Sequence, residues 1–105
     1  MPATLYAGTE VEVNDEGFLI DSDSWTRDIA EAIADEVGIG PLTDKHWQVI
    51  EFCRNDAADQ GQPPGLRRIS KLSGINMKEL YQLFPKGPGK LAAKVSGLPK
   101  PQGCI

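Results

Sequence analysis

The chain has 105 residues, a formal net charge of -4 and 40% hydrophobic residues. This length and apolar content predict one domain with a single modest core, which folds without disulfides or metals. No apolar run approaches the roughly 20 residues of a membrane-spanning helix, and the N-terminus lacks the layout of a signal peptide, so we expect a cytoplasmic protein.

A β-hairpin is predicted near the N-terminus. Val11 and Val13 alternate with charged residues, and the stretch 14–17 carries the Asn, Asp and Gly typical of a turn. The apolar pattern resumes with Phe18. Because this is the only good strand signal in the sequence, the rest of the domain is expected to be helical.

Two amphipathic helices are predicted to follow the hairpin. In the first, apolar residues recur at four-residue steps from Trp25, behind Asp23 or Ser24 as the N-cap. The second begins after Thr43, a favourable N-cap, and ends at Gly61. Each helix has one apolar face, which predicts that both pack against a shared core.

Three shorter helices are predicted in the second half of the chain. The stretches 65–74 and 76–84 have the spacing of a helix-turn-helix, with Leu72 and Tyr81 on the inward faces. A last helix is expected within 87–97, after which Gly and Pro residues disfavour regular structure. The predicted fold class is mainly α: a small orthogonal bundle of about five helices with a helix-turn-helix-like centre, an N-terminal β-hairpin and a flexible C-terminal arm.

The acidic net charge hides an asymmetry along the chain. Residues 1–63 hold fourteen Asp and Glu against three Lys and Arg, whereas residues 64–105 hold eight Lys and Arg against Glu79 alone. The basic half either binds an anionic partner or attracts the acidic half within one fold. A DNA-binding regulator that uses residues 66–84 is one hypothesis, although its second helix offers few side chains for reading bases.

Neither of the two cysteines belongs to a disulfide framework or a metal site. Cys53 lies on the apolar face of the second helix, and Cys104 is the penultimate residue. These cysteines and the single histidine, His46, match no zinc site or catalytic triad, so no metal and no cofactor are predicted. We expect His46 at the surface and Cys53 in the core, where a thiol packs as a small hydrophobe.

Residues 97–105 are expected to form a mobile arm beyond a domain of residues 1–96. A thiol at the tip of such an arm gains no burial energy, which makes Cys104 a candidate reactive group. Two prolines stiffen the arm, which if extended carries the sulfur roughly 20 to 25 Å from the body. If the arm folds back over the basic half, the thiolate is favoured by nearby cations, for which the candidates are Lys100, Lys94, Arg67 and Arg68.

The C-terminal sequence YQLFPKGPGKLAAKVSGLPKPQGCI resembles the C-terminal signature of the DsrC/TusE family. This family consists of small sulfur-carrier proteins and includes the gamma subunit of dissimilatory sulfite reductase. The resemblance extends through VNDEGFLIDSDSW and LTDKHWQVIEFCR, so it covers nearly the whole chain. It implies a mostly helical fold with a flexible C-terminal arm, and it implies that Cys104 carries sulfur as a persulfide.

Two features differ from the family pattern. Members that work with dissimilatory sulfite reductase have a second cysteine where this chain has Ala93, so the disulfide or trisulfide of their cycle cannot form here. The segment before YQLFP is expected to be shorter than in other members. The single-cysteine pattern is similar to that of TusE, which passes persulfide sulfur toward 2-thiouridine in tRNA.

The sequence therefore favours a non-enzymatic sulfur carrier that holds sulfur on Cys104. Its expected partners are an upstream persulfide donor protein and a downstream acceptor, either a tRNA-thiolating enzyme or a sulfite-reductase-like complex. One alternative is a gamma subunit or partner of dissimilatory sulfite reductase in sulfur oxidation or sulfite reduction. The other is the helix-turn-helix regulator, and no membrane association is expected.

Overall fold

Two antiparallel strands precede five α-helices in the computed structural model, which describes residues 3–101. This order confirms the predicted mainly helical fold with an N-terminal hairpin. Within the described range, no helix has the length and apolar character needed to cross a membrane. The elements are β1 (Ala3–Tyr6), β2 (Thr9–Glu12), α1 (Arg27–Glu36), α2 (Asp44–Gln60), α3 (Leu66–Leu72), α4 (Met77–Leu83) and α5 (Pro88–Val95).

The N-terminal hairpin forms, but its paired strands lie earlier than predicted. β1 and β2 join through Ala7 and Gly8, whose φ angles of 53° and 78° are those of a two-residue hairpin turn. The predicted turn at 14–17 also forms, yet it closes only a single bridge between Val13 and Leu19. Ala-Gly is a weaker turn signal than Asn-Gly or Asp-Gly, which is why the sequence pattern missed the longer strand pair.

Local capping determines where the first two helices begin. Thr43 caps α2 and Gly61 ends it in a left-handed conformation, both as predicted. α1 begins later than predicted, because the side chain of Thr26 accepts a hydrogen bond from the Ile29 amide at 3.2 Å. Trp25 therefore precedes α1 instead of lying on its face.

The last helix, α5, is at the centre of the molecule. It contacts α1, α2, α3 and α4, and most of its residues are buried. α2 contributes Val49 to a core cluster around Phe18 and Phe84, and it contributes Ile50 to a second cluster with Ile33. Each of these side chains is fully buried, and such burial stabilises the fold by about 1.5 to 3 kcal/mol per large apolar side chain.

Three side chains lie on the side opposite to that predicted. Leu72 and Tyr81 are each 52% exposed, because α3 and α4 have only seven residues and their narrow buried faces point elsewhere. His46 is buried instead of exposed. Its Nδ1 accepts a hydrogen bond from the Thr43 amide at 3.0 Å, and its Nε2 donates to the Leu83 carbonyl at 3.0 Å, so the ring links α2 to α4.

Candidate functional site

The predicted reactive residue, Cys104, lies outside the described residues. The site is therefore defined by the chain that leads to it, from the end of α5 to Pro101, and by the side chains that hold this chain in place. We refer to residues 96–101 as the root segment.

The root segment begins with a helix-terminating turn that directs the chain back onto the body. The Gly97 amide donates to the Lys94 carbonyl at 3.2 Å, and the Leu98 amide donates to the Ala93 carbonyl at 3.0 Å. Gly97 has φ +72°, so the two bonds form the Schellman motif that commonly ends a helix. The accompanying apolar contact is also present, since Leu98 is buried in the core.

This packing changes the predicted boundary of the C-terminal arm. The arm was expected to leave the body at Gly97, but Gly97, Leu98 and Pro101 are all buried. The reason is that Leu98 completes the core around α5, which outweighs the tendency of Gly and Pro to stay unpacked. The mobile arm predicted for 97–105 is thus packed against the body as far as Pro101, and its remainder lies outside the described residues.

Two side chains from distant parts of the chain bind the last carbonyl groups of α5. Trp25 Nε1 donates to the Val95 carbonyl at 2.8 Å, and Arg54 Nη1 donates to the Ser96 carbonyl at 2.9 Å. The guanidinium carbon of Arg54 lies 4.2 Å from the centre of the Trp25 ring, a cation–π contact. We call Trp25 and Arg54 the clamp.

The clamp also fixes the conformation at Gly97. A Cβ atom built on Gly97 would lie 2.5 Å from Cδ1 of Trp25, which is closer than any real contact allows. The backbone of the root segment therefore lies directly on the indole ring. Burial lowers the pKa of the Arg54 guanidinium from its usual value, while the charge of Asp23 acts in the opposite direction.

Two of the predicted cations, Lys94 and Lys100, lie beside the loop at 14–18. Lys100 Nζ lies 3.2 Å from a carboxylate oxygen of Glu16, and Lys94 Nζ lies 5.7 Å from the centre of the Phe18 ring. Lys90, which is not among the predicted cations, approaches Glu16 at 3.9 Å. We call these three lysines the lysine cluster, and its last member, Lys100, is four residues before Cys104.

The other two predicted cations, Arg67 and Arg68, belong to a different part of the surface. Arg68 makes two hydrogen bonds of 2.8 Å to the buried carboxylate of Asp56, and this pairing raises the pKa of Arg68. Arg67 is exposed on α3. No hydrogen bond or ion pair joins either arginine to residues 96–101 of the structure.

A pocket of about 300 Å³ opens between Arg54 and the C-terminal end of α2. Arg54, Asp23 and the backbone turn at Ser22 form one side, and Leu98 and Pro99 of the root segment form another. Arg54 Nη2 also reaches the Ser22 carbonyl at 3.4 Å. Over residues 3–101 the structure has no group of three or more His, Cys, Asp or Glu side chains arranged to hold a metal ion.

Cys53 is enclosed beneath the root segment, as predicted for a core thiol. Cys53 is 1% exposed, and burial raises the pKa of its thiol to about 12. Only the thiolate is a good nucleophile, so Cys53 is unreactive near neutral pH.

The clamp leaves no local pattern in the sequence. Apolar periodicity predicts Trp25 on a helix face, and Arg54 is an isolated cation within the second predicted helix. No local pattern pointed to either role, because their partners are the carbonyls of Val95 and Ser96, far away in sequence. The glycine that follows an apolar helix was the one available signal, and it correctly predicted a helix end at Gly97.

The family model described as DsrC like protein matches residues 5–105. The chain belongs to the DsrC-like family. The match includes the root segment, the lysine cluster and Cys104.

Relatives of this DsrC-like chain carry two different names. It is 39% identical over 105 residues to the "Sulfite reductase, dissimilatory-type subunit gamma" of Nitratidesulfovibrio vulgaris, with 100% of both chains covered. It is 38% identical over 108 residues to "Sulfurtransferase TusE" of Escherichia coli K12, with 96% of this chain and 98% of the relative covered.

A solved structure shares the DsrC-like fold. The chain matches one in the crystal structure of dissimilatory sulfite reductase I (DsrI) with a TM-score of 0.88 and 38% identity, covering 99% of this chain and 100% of that one. No DNA-binding protein is among these similar proteins, so the helix-turn-helix hypothesis gains no support from them.

Two sequence features of the DsrC-like chain now have a structural context. Ala93 lies in the last turn of α5 and is 2% exposed, so its side chain is part of the core. The predicted shortening before YQLFP is not general in the family, because the gamma subunit aligns over its whole length with the 105 residues of this chain.

Proposed function

We propose that this DsrC-like chain is a sulfur carrier that accepts sulfane sulfur on Cys104 and passes it to a partner protein. The contrast between the two cysteines carries the proposal. Cys53 is enclosed in the core with a thiol pKa raised to about 12, so Cys104 is the one cysteine left for chemistry at neutral pH.

The loading step is a thiolate exchange without net oxidation. The Cys104 thiolate attacks the terminal sulfur of a donor persulfide, a new S–S bond forms, and the S–S bond of the donor breaks. The bonding electron pair leaves with the donor sulfur as a thiolate. The product is a Cys104 persulfide, and attack on its terminal sulfur by the partner's cysteine thiolate releases Cys104 again.

The lysine cluster is the part of the site that favours the anionic forms of Cys104. Lys100 is four residues from Cys104, and Lys94 and Lys90 lie next to the same loop. The chain from Pro101 to Cys104 spans at most about 10 Å, which is about one Debye length at 0.1 M salt. Positive charge at this range stabilises a thiolate or persulfide anion.

The partners we propose follow from the names of the relatives. They are either the proteins of a sulfur relay that ends in tRNA thiolation or a sulfite-reductase-like complex. Ala93 favours the first, because a single carrier cysteine is sufficient for a relay. The full-length match to a gamma subunit favours docking to a sulfite reductase.

Intact mass spectrometry tests the carrier role. The purified protein is incubated with glutathione persulfide, and a gain of about 32 Da indicates one added sulfur. We expect this gain in the wild type and in Cys53→Ala, the matched control, and none in Cys104→Ser. A wild type that gains no sulfur, or a Cys104→Ser variant that does, contradicts the proposal.

A second experiment separates the two partner classes. In cells that lack the gene, a sulfur-relay role predicts loss of 2-thiouridine from tRNA, restored by the wild type but not by Cys104→Ser. A sulfite-reductase role predicts unchanged tRNA and co-purification of the chain with reductase subunits.

A further inference from the structure

The carbonyls at the end of α5 accept hydrogen bonds from three other parts of the chain. The carbonyls in the last turn of a helix have no partner within the helix and must be satisfied from elsewhere. Here the Ala93 and Lys94 carbonyls accept from the backbone turn, and the Val95 and Ser96 carbonyls accept from the clamp side chains. Each of these four carbonyls has a hydrogen-bond partner, so several independent contacts fix the direction of the chain at Gly97.

We propose that Trp25 and Arg54 are positioning residues that fix the direction in which the Cys104-bearing segment leaves the body. The inference rests on the proposed carrier function, because a fixed direction matters only if the sulfur must meet a partner's cysteine. Neither side chain touches the sulfur in this proposal. They act on it through the root segment.

Arginine is required at position 54 by the geometry of its contacts. One guanidinium nitrogen bonds the Ser96 carbonyl, another approaches the Ser22 carbonyl, and the planar group stacks on Trp25. A lysine ammonium is a point charge on a flexible chain and lacks this planar fork. Arg54→Lys therefore keeps the positive charge and removes the planar fork that makes these contacts.

The size of the effect follows from the number of residues between Cys104 and the nearest point that the body holds. With the root segment held, Cys104 is three residues from Pro101, which limits its reach to about 10 Å. With the root released at Ser96, Cys104 is eight residues from the nearest held residue and the limit grows to about 27 Å. The accessible volume rises about twentyfold, so the effective concentration of the sulfur at any point near the root falls about tenfold or more.

A second stacked pair in the same protein supplies a matched control. The guanidinium carbon of Arg27 lies 3.9 Å from the centre of the Trp47 ring, between α1 and α2. Arg27 is exposed and makes no contact with the root segment among the interactions of residues 3–101. Arg27→Lys and Trp47→Phe thus make the same chemical changes as Arg54→Lys and Trp25→Phe at a site that holds no part of the root segment.

The first measurement is amide hydrogen exchange by NMR. In Arg54→Lys and in Trp25→Phe, the Gly97 and Leu98 amides should exchange at least tenfold faster than in the wild type, with α2 amides unchanged. The Arg27→Lys and Trp47→Phe controls should leave the two amides unchanged. Unchanged exchange at Gly97 and Leu98 in the clamp variants overturns the inference, and so does an equal acceleration throughout the protein.

The second measurement is the effective concentration of Cys104 beside the loop at 14–18. Asp15→Cys places a thiol at the exposed tip of this loop, next to the Lys100 contact at Glu16. With oxidised glutathione the two thiols form an intramolecular disulfide and release two reduced glutathione molecules, and the equilibrium gives the effective concentration. It should fall about tenfold in Arg54→Lys and Trp25→Phe and stay within twofold in the controls.

The outcomes separate the clamp from the carrier function. An equal effective concentration in clamp variants and wild type overturns the positioning role. Loading by glutathione persulfide does not depend on direction and should stay within twofold in Arg54→Lys. If the wild type does not load at all, the carrier function fails, whereas the exchange and disulfide measurements still decide whether the clamp fixes the root segment.

Discussion

Lys100 and Glu16 form an ion pair of 3.2 Å that joins the root segment to the loop at 14–18. Glu16 belongs to the loop that precedes the buried Phe18, and Lys100 is the penultimate described residue. Lys90 approaches the same carboxylate at 3.9 Å. Glu16 thus partly neutralises the lysine cluster at the point where the chain continues toward Cys104.

Glu16→Gln should make Cys104 more reactive. The substitution removes a carboxylate that pairs with Lys90 and Lys100, so more positive charge faces the thiolate. We expect the rate of Cys104 alkylation by iodoacetamide at pH 7 to rise about two- to threefold in low salt. Stability should change by less than about 1 kcal/mol, because exposed ion pairs contribute little.

Glu10→Gln on β2 is the control for this change, since it removes the same charge from an exposed position on the paired strand. It should leave the alkylation rate unchanged. The difference between the two variants should vanish in 0.5 M salt. A Glu16→Gln rate equal to or below that of the wild type would show that the cluster does not act on Cys104.

Substitutions of Arg68 and Arg67 test whether the arginines on α3 stabilise the Cys104 thiolate or the folded state. Arg68→Ala leaves the 8% exposed Asp56 carboxylate without its two hydrogen bonds, which is destabilising because an unpaired buried charge is poorly solvated. We expect its thermal midpoint to fall by several degrees and that of Arg67→Ala to stay unchanged. Sulfur loading on Cys104 should be the same in both folded variants, and a selective loss of loading would assign them the thiolate role.

The elements that the sequence predicted well depend on interactions between near neighbours. Thr43 and Gly61 mark the ends of α2 through contacts within one turn, so residue type and position were sufficient. α4 begins through an equally local contact, since the side chain of Asn76 accepts from the Glu79 amide at 2.9 Å. Apolar periodicity over these helices then predicted the fold class.

The sequence predictions that are wrong concern features that depend on distant parts of the chain. Tyr81 is apolar and adjacent to the buried Leu80, but only a narrow stripe of the seven-residue α4 faces the core. His46 is buried because its ring bridges α2 to the Leu83 carbonyl. The clamp and the packed root segment are missed for the same reason, since their partners are set by tertiary structure and leave no local pattern.

Gly97→Ala should destabilise the protein more than a comparable change elsewhere. Gly97 has φ +72°, and an added Cβ would also meet the Trp25 ring at 2.5 Å. We expect a loss of about 2 kcal/mol or more in the free energy of unfolding, measured in urea. Gly61→Ala is the control: it has φ +78° but open space around the added Cβ, so it should cost only about 1 kcal/mol. Equal losses would mean that the Trp25 contact is not close in solution.

Cys53 should make stability depend on pH above neutrality. Burial raises the pKa of its thiol to about 12, whereas an unfolded thiol has a pKa of about 8.5. The group is then neutral in both states below about pH 8.5, and its full contribution is present there. Above that pH the unfolded state loses the proton first, so stability falls as pH rises toward the folded pKa.

Comparison with Cys53→Ala isolates this pH dependence. Each pH unit in this window corresponds to up to about 1.4 kcal/mol, so the wild type should lose about 2 kcal/mol more than Cys53→Ala between pH 8.5 and 10.5. Urea unfolding at a series of pH values gives both curves, and the constant loss from the smaller side chain cancels in the comparison. Parallel curves would mean that Cys53 ionises as readily in the folded protein as in the unfolded chain, and Cys53 would then compete with Cys104 as the reactive thiol.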